Sequence, residues 1–384
     1  MRGAGVASRG LLAVALLAGV GLASHAGADQ WTFQTGARLD YYSADKQSGQ
    51  GDGGEFLIPY GLWYDAPNWG IGGRGTWGRS WHDLDQAPKA EIEGFADTTV
   101  SGYVRFNLSG TELRIDLDVD VPTGVSALKN SQLPAVQDED LAAIQRFGEG
   151  LDINPTVTVY RSFGDWGLGA GVGYLMRGKY DPTRNVPGDD FDPADELTGS
   201  VLGDVIVGES TRLVGRFAYT YFTTDDERGG IKTFRPGDEL DVTVGLEWRP
   251  EPWWLAVTVR DIYRFKAERL NPGGLVRTEA QNNYGNEIRG NLTVGYIIDD
   301  VWTVGGTVDV RYVAANDYPT GDPLHDGGRL KVAVGPWVTW TFSRRFAVDV
   351  SARYFHLDAK QSPVYPKDSN FDGVQADLRL TYRF

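Results

Sequence analysis

The amino-acid sequence predicts an all-β fold, a closed antiparallel transmembrane β-barrel of about 16 strands, or about 14 where weak segments fuse. Three observations carry this reading. Apolar and polar residues alternate with a period of two along much of the chain, helical periodicity is nearly absent, and very short turns take turns with long polar loops. The clearest segment is 113–121, Leu-Arg-Ile-Asp-Leu-Asp-Val-Asp-Val, apolar at every odd position and charged at every even one. Successive strand side chains point to opposite faces, so this segment has one apolar and one wet face.

Taken in order, the chain opens with a secretory leader. Arg2 and Arg9 precede an apolar run over 11–23, and the small-residue triplet Ala26-Gly27-Ala28 stands before Asp29. That run is short for a membrane-spanning helix, so cleavage after Ala28 is expected, giving a 1–28 signal peptide and a 29–384 barrel domain. Strand starts are then expected near 30, 55, 69, 98, 111, 151, 165, 197, 211, 239, 253, 286, 301, 328, 345 and 373. Short turns at Pro67-Asn68, Ser109-Gly110, Gly164-Asp165, Asp299-Asp300 and Ser343-Arg344 separate pairs of them, and the period-two pattern recurs over 240–248, 288–298, 302–312, 346–354 and 374–384. Between the pairs lie loops rich in Asp, Gly and Pro, the outward loops of the barrel pattern.

Composition narrows the function. The mean hydropathy is −0.32, and no stretch after the leader reaches the roughly 18 apolar residues a spanning helix needs. With no cysteine, disulfide scaffolds and thiol chemistry are excluded. Of 37 basic residues the leader holds two, leaving 35 against 52 acidic ones, a charge of −17 that disfavours nucleic acid as a partner. No linker divides the chain, which reads as one domain.

On three strands aromatic residues stand ten apart on one face: Trp31 with Tyr41, Trp253 with Tyr263, and Trp302 with Tyr312. At about 3.3 Å per residue and a tilt of about 45° this spans roughly 23 Å, the height of a barrel's apolar belt, so these six are expected in two aromatic girdles. At the C-terminus Val374, Ala376, Leu378, Leu380, Tyr382 and Phe384 form one apolar face ending on the last residue. In this the chain resembles Gram-negative outer-membrane β-barrel proteins, porins among them. The resemblance implies an outer-membrane location and an assembly signal in Leu380, Tyr382 and Phe384 for the barrel-assembly machinery. It further implies surrounding lipid and lipopolysaccharide, and a homotrimer as an assembly familiar for 16-stranded porins. Val121-Pro122-Thr123-Gly124 and Gly150-Leu151-Asp152, with Pro187-Gly188-Asp189-Asp190 and Pro236-Gly237-Asp238-Glu239, also resemble outer-membrane proteins of the phenol meta-cleavage pathway family, which implies carriage of small, aromatic compounds.

Parity places Asp116, Asp118, Asp120 and Asp152 on one side of the lumen. Arg260, Arg264, Lys266, Arg289, Arg329, Lys331, Arg353 and Arg379 fall on later strands, so an acidic wall is expected to face a basic one. Asp261 falls on the lipid-facing parity, which a bulge or a place near the headgroups would explain. The longest connection, 122–150, holds an expected helical turn over 138–147 and, by resemblance to general porins, is the candidate constriction loop. The acidic segments 189–192 and 224–227 lack the spaced ligands and central glycine of a calcium loop and read as solvated surface. No metal or cofactor is expected. Catalysis is not expected either: His82, His325 and His356 stand beside no nucleophile motif, and Ser351, His356 and Asp358 have inconsistent parity for a triad. The function expected is passive diffusion of small polar or charged solutes through a channel. The alternatives are a narrow transporter for hydrophobic or aromatic compounds, favoured by inward Trp63, Trp337 and Phe355, and a non-conducting anchoring barrel.

Overall fold

Backbone groups in hydrocarbon find no water, so a sheet that crosses a membrane must leave no open edge. The computed structural model, which describes residues 29–45, 50–83, 88–184, 190–227, 231–270 and 274–384, meets this by closing one sheet on itself. Its strands are β1 (Gln30–Ala44), β2 (Asp52–Asp65), β3 (Trp69–Asp83), β4 in two segments (Ala90–Phe95 and Thr98–Leu108), β5 (Thr111–Val121), β6 (Asp152–Ser162), β7 (Trp166–Leu175) and β8 (Glu196–Val207). They continue as β9 (Thr211–Phe222), β10 (Glu239–Trp248), β11 (Trp253–Arg264), β12 (Glu287–Ile297), β13 (Trp302–Val313), β14 (Arg329–Ser343), β15 (Phe346–Ala359) and β16 (Ser369–Arg383). Each pairs antiparallel with its sequence neighbours, and β1 pairs with β16 over Thr32–Arg383 to Ala44–Phe371 to complete 16 strands. The expected leader lies outside the described residues, as do Pro187, Gly188 and Asp189.

The strand starts follow the sequence pattern to within a residue, with three differences. β2 begins at Asp52 and β16 at Ser369, ahead of the expected 55 and 373, and β4 gains an upper segment, Ala90–Phe95, before a break at Ala96 and Asp97. Both segments pair with β3, and the break inverts which residues face out: Phe95 is exposed before it, and Val100, Val104 and Phe106 after it. Such a break re-aims side chains, here turning Asp97 inward.

Alternation works as the sequence requires. Leu113, Ile115, Leu117 and Val119 of β5 point away from the inside, while Arg114, Asp116, Asp118 and Asp120 point into it. On the outer face at the short-turn rim, aromatic rings touch in series: Trp31 with Tyr64 at 5.0 Å, Tyr64 with Trp69 at 5.1 Å, Trp253 with Tyr296 at 4.7 Å, and Trp302 with Trp340 at 5.1 Å. Toward the long-loop rim, three exposed tyrosines are tied to the next strand's base. Tyr174 donates to Asp195 (2.7 Å), Tyr219 to Asp238 (2.5 Å), and Tyr354 to Asp372. Tyr41, Tyr263 and Tyr312 lie exposed on the outer face, ten residues along from Trp31, Trp253 and Trp302. The seam closes on the terminal residue: Trp31 and Phe384 exchange both backbone hydrogen bonds at 3.1 Å and stack their rings.

Above the long-loop rim the loops pair among themselves in a small antiparallel sheet, Phe191–Asp192, Asp225–Glu227, Ile231–Arg235, Glu268–Leu270 and Val276–Thr278. Asp261 sits in unbroken register between Val242 and Ile288, so no bulge accounts for its outward place two residues below Tyr263.

Candidate functional site

The inner face is polar because one of every two strand residues must point there, and its charges are organised by cross-strand register. Arg260 of β11 meets Asp241 of β10 at 2.7 Å, and Arg216 of β9 meets the same carboxylate at 3.2 Å. Arg264 bridges Glu239 and Glu287, each at 3.1 Å. Glu287, 1% exposed, also takes Arg289 at 2.5 Å and Arg311 at 2.8 Å. Arg353 lies between Asp309 (3.0 Å) and Asp377 (3.5 Å).

Segment 122–150 completes the site. Its two ends are pinned by one carboxylate: Asp97 accepts from the backbone N–H of Gly124 at 2.8 Å and of Glu149 at 2.7 Å. From there it crosses the inside. Against β2 and β3, the Gln137 amide donates to the carbonyls of Gly54 and Trp81 and to the Ser80 hydroxyl, while Ser80 donates to Ala135. Glu55 accepts from the N–H groups of Ala143 and Ile144. On the other side, Asp138 meets Arg329 at 2.8 Å, Asp140 meets Arg311 at 2.6 Å and Arg329 at 3.4 Å, and Glu139 binds Arg311 and stands 3.7 Å from Arg289. Lys331 donates to the Asp140 carbonyl. Apolar contacts hold both flanks, with Leu128, Ala135 and Phe147 against Ala90 and Ile92, and Leu141 among Tyr42, Phe355, Leu357, Tyr365 and Phe371. The loop thus ties the inner faces of β2 and β3 to those of β13 and β14.

Burial opposes ionisation of Asp140, but Arg311, Arg329 and Lys331 together outweigh it and hold the carboxyl below its ordinary range. Burial wins at Asp138, whose partner Arg329 offsets it only in part, and that carboxyl is pushed up.

Several expected site residues are placed differently from the simplest scheme. Lys266 is not on the lumen wall: β11 ends at Arg264, and Lys266 is an exposed loop residue donating to the Ala280 carbonyl. The alternation of the sequence runs past Arg264 into a loop, where the chain leaves the ladder. Arg260, Arg264, Arg289, Arg329, Lys331, Arg353 and Arg379 all lie on inward positions, but among the described residues all of them except Arg379 have an acidic or carbonyl partner, so the expected opposition of a basic to an acidic wall is largely neutralised locally. Asp116 pairs with Arg114 on its own strand at 2.7 Å, and Asp152 lies at the loop base, accepting from the Gly178 N–H and 3.6 Å from Arg177. Asp118 and Asp120 point inward from β5. The expected helical turn over 138–147 is a single turn in which Leu141 and Ala142 donate back to Asp138, and a short 3₁₀ turn forms at Leu133–Ala135 instead.

Phe355 is buried beneath the loop, whereas Trp337 faces inward against Trp254 with ring centroids 5.5 Å apart. Ser351 points inward to Asp377 while His356 points outward to Asp372, so Ser351 and His356 are on opposite faces of one strand. Sequence reasoning missed Arg311, Glu287, Asp97 and the acidic tip 138–140. Arg311 was within reach, since parity places it beside Arg289 on the inner face of the next strand.

No protein-family model matches the chain, and no curated protein matches it. Solved structures that align with it include a bacterial polysaccharide outer-membrane secretin (11% identity, TM-score 0.46, covering 92% of this chain and 98% of that one). A mutant of the monoaromatic hydrocarbon channel TodX aligns at 9% identity and TM-score 0.46, covering 93% of this chain and 91% of that one. An anion-selective porin from Comamonas acidovorans aligns at 12% identity and TM-score 0.41, covering 93% of this chain and all of that one (100%).

Proposed function

We propose that this chain is an outer-membrane channel for passive diffusion of small polar or charged solutes, with 122–150 as its constriction. The observation that carries the reading is the pairing of an apolar, aromatic-edged outer belt with a charged inner face that a single loop bridges. An outer belt of that kind suits lipid and lipopolysaccharide, and a charged inner face suits water. The apolar C-terminal face of β16 is the segment the barrel-assembly machinery would engage, and a homotrimer is an assembly to test by crosslinking. The deciding experiment is conductance of the refolded 29–384 chain in a planar bilayer under a salt gradient. Stepwise long-lived openings are expected; a folded barrel that stays silent overturns the reading.

A second reading rests on the Trp254–Trp337 pair, which lies over Gly295 and Gly305 on the inner wall. Flat rings beside glycine offer a stacking surface for small aromatic compounds. Saturable quenching of tryptophan fluorescence by phenol, lost in Trp337→Ala, is the result that favours it.

A further inference from the structure

The wall on which the loop tip lands carries more cations than it neutralises. Arg264, Arg289, Arg311, Arg329 and Lys331 project from four consecutive strands, β11 to β14, and the same stretch of wall offers them Glu239 and Glu287. Asp326 is 3.9 Å from Arg329, at the edge of ion-pair range, and the pairs Arg38–Asp40 and Arg353–Asp309 flank the cluster without entering it. The missing negative charge comes from the loop, where Asp138, Glu139 and Asp140 lie on Arg329, Arg311 and Arg289. Arg329 Nε is buried with no hydrogen-bond partner among the described residues, so a donor is left over even with the tip in place.

We propose that this cluster is a binding site for small polycarboxylate anions and that the acidic tip is its built-in occupant, displaced when such an anion binds. Three carboxylates on consecutive residues form a compact trianion, so the ligand class is a short carbon chain bearing two or three carboxylates. Guanidinium forks suit carboxylates in bidentate geometry, and several of them together select polyanions over a single acetate-like group. The neck at Asp97 and the anchor at Gln137 hold the rest of the segment to β2, β3 and β4, so displacement is confined to the tip. The inference rests on the channel reading for solute access to the inside, but binding is measurable without conduction.

The test is calorimetric titration of refolded protein with tricarballylate, with propionate as the monoanion control, on wild type and on D138N/E139Q/D140N. Neutralising the tip removes the internal competitor, so tricarballylate should bind the variant tighter by about tenfold or more. Adding R311Q and R329Q should abolish that binding. In a planar bilayer the tip variant should also shift toward anion selectivity. Fold is checked by circular dichroism, and if the triple variant does not fold, E139Q, which alters the most exposed of the three tip carboxylates, serves with a smaller gain. Absence of tricarballylate binding in both proteins, equal affinity in both, or binding that survives loss of the arginines overturns the proposal. Silence in the bilayer with intact, tip-dependent binding would instead overturn the channel reading alone.

Discussion

Glu287 receives three guanidinium groups, from Arg264, Arg289 and Arg311, while almost wholly removed from solvent. Removing one member of a buried ion-pair network leaves its partners uncompensated, which costs about 3–5 kcal/mol. Glu287→Gln should therefore lower the unfolding free energy of the refolded barrel, read from its urea midpoint and slope, by an amount of that order, and Glu287→Asp by less. An unchanged midpoint for the glutamine variant would mean that water, rather than Glu287, balances these arginines. At the loop tip the two aspartates are held in opposite directions. Asp140, depressed by its three cations against the opposing effect of burial, contributes stability above its unfolded pKa of about 3.9, which is lost as the pH falls through its folded value. Asp138, raised by burial, contributes in the opposite sense and loses that contribution as the pH rises through its folded value. At pH 7, Asp140→Asn should accordingly destabilise the folded state more than Asp138→Asn, and the gap should close in strong acid. Equal effects at pH 7 would mean that Arg329, the cation both aspartates meet, holds the tip alone.

At the scale of elements, the strands were the most legible part of the sequence because period-two alternation and turn residues are local signals. The segment 113–121 states its two faces residue by residue, and the short turn at Ser109-Gly110 bounds it; Ser109 and Gly110 both take positive φ, at 54° and 85°. What was not legible depends on contacts far apart in the chain. The upper segment of β4 is short and interrupted at Ala96 and Asp97, so its alternation inverts before a pattern can accumulate. The loop tip reads as an ordinary acidic stretch until folding brings Asp138 to Arg329, 191 residues away. The loop sheet is a further example, since its strands are two to five residues long. Within it Asp225 is buried, accepts from the Ala194 N–H at 2.7 Å, and is raised to about 6, chiefly by burial. A raised carboxyl favours the folded state below its unfolded pKa of about 3.9, and that contribution is lost as the pH rises through about 6. Asp225→Asn keeps an acceptor for Ala194 and removes the charge. It should slow hydrogen exchange across 225–227 and 191–192 at pH 7 relative to wild type, with little difference near pH 4; the reverse ordering would mean that the Asp225 charge is compensated in the fold.

For the whole molecule, closure makes the first and last strands mutually dependent. β1 and β16 pair along almost their full lengths, and the ladder ends in the reciprocal bonds between Trp31 and Phe384 at the short-turn rim. The loop lies across that seam, because β1 and β2 carry Tyr42, which clusters with Leu141, and Glu55, which accepts from Ala143 and Ile144, while β14 to β16 carry Arg329, Phe355 and Phe371 on the loop's other flank. Deleting Phe384 removes one ring from the stack and both terminal bonds while leaving the inner face intact. The effect should therefore appear in assembly rather than in selectivity: a lower yield of folded barrel from detergent refolding, with unchanged ion selectivity in the fraction that folds. Phe384→Tyr, which keeps the ring and the backbone bonds, should restore the yield. A selectivity change on deleting Phe384 would mean that the seam transmits strain to the loop, and the inner face could not then be treated as independent of the rim.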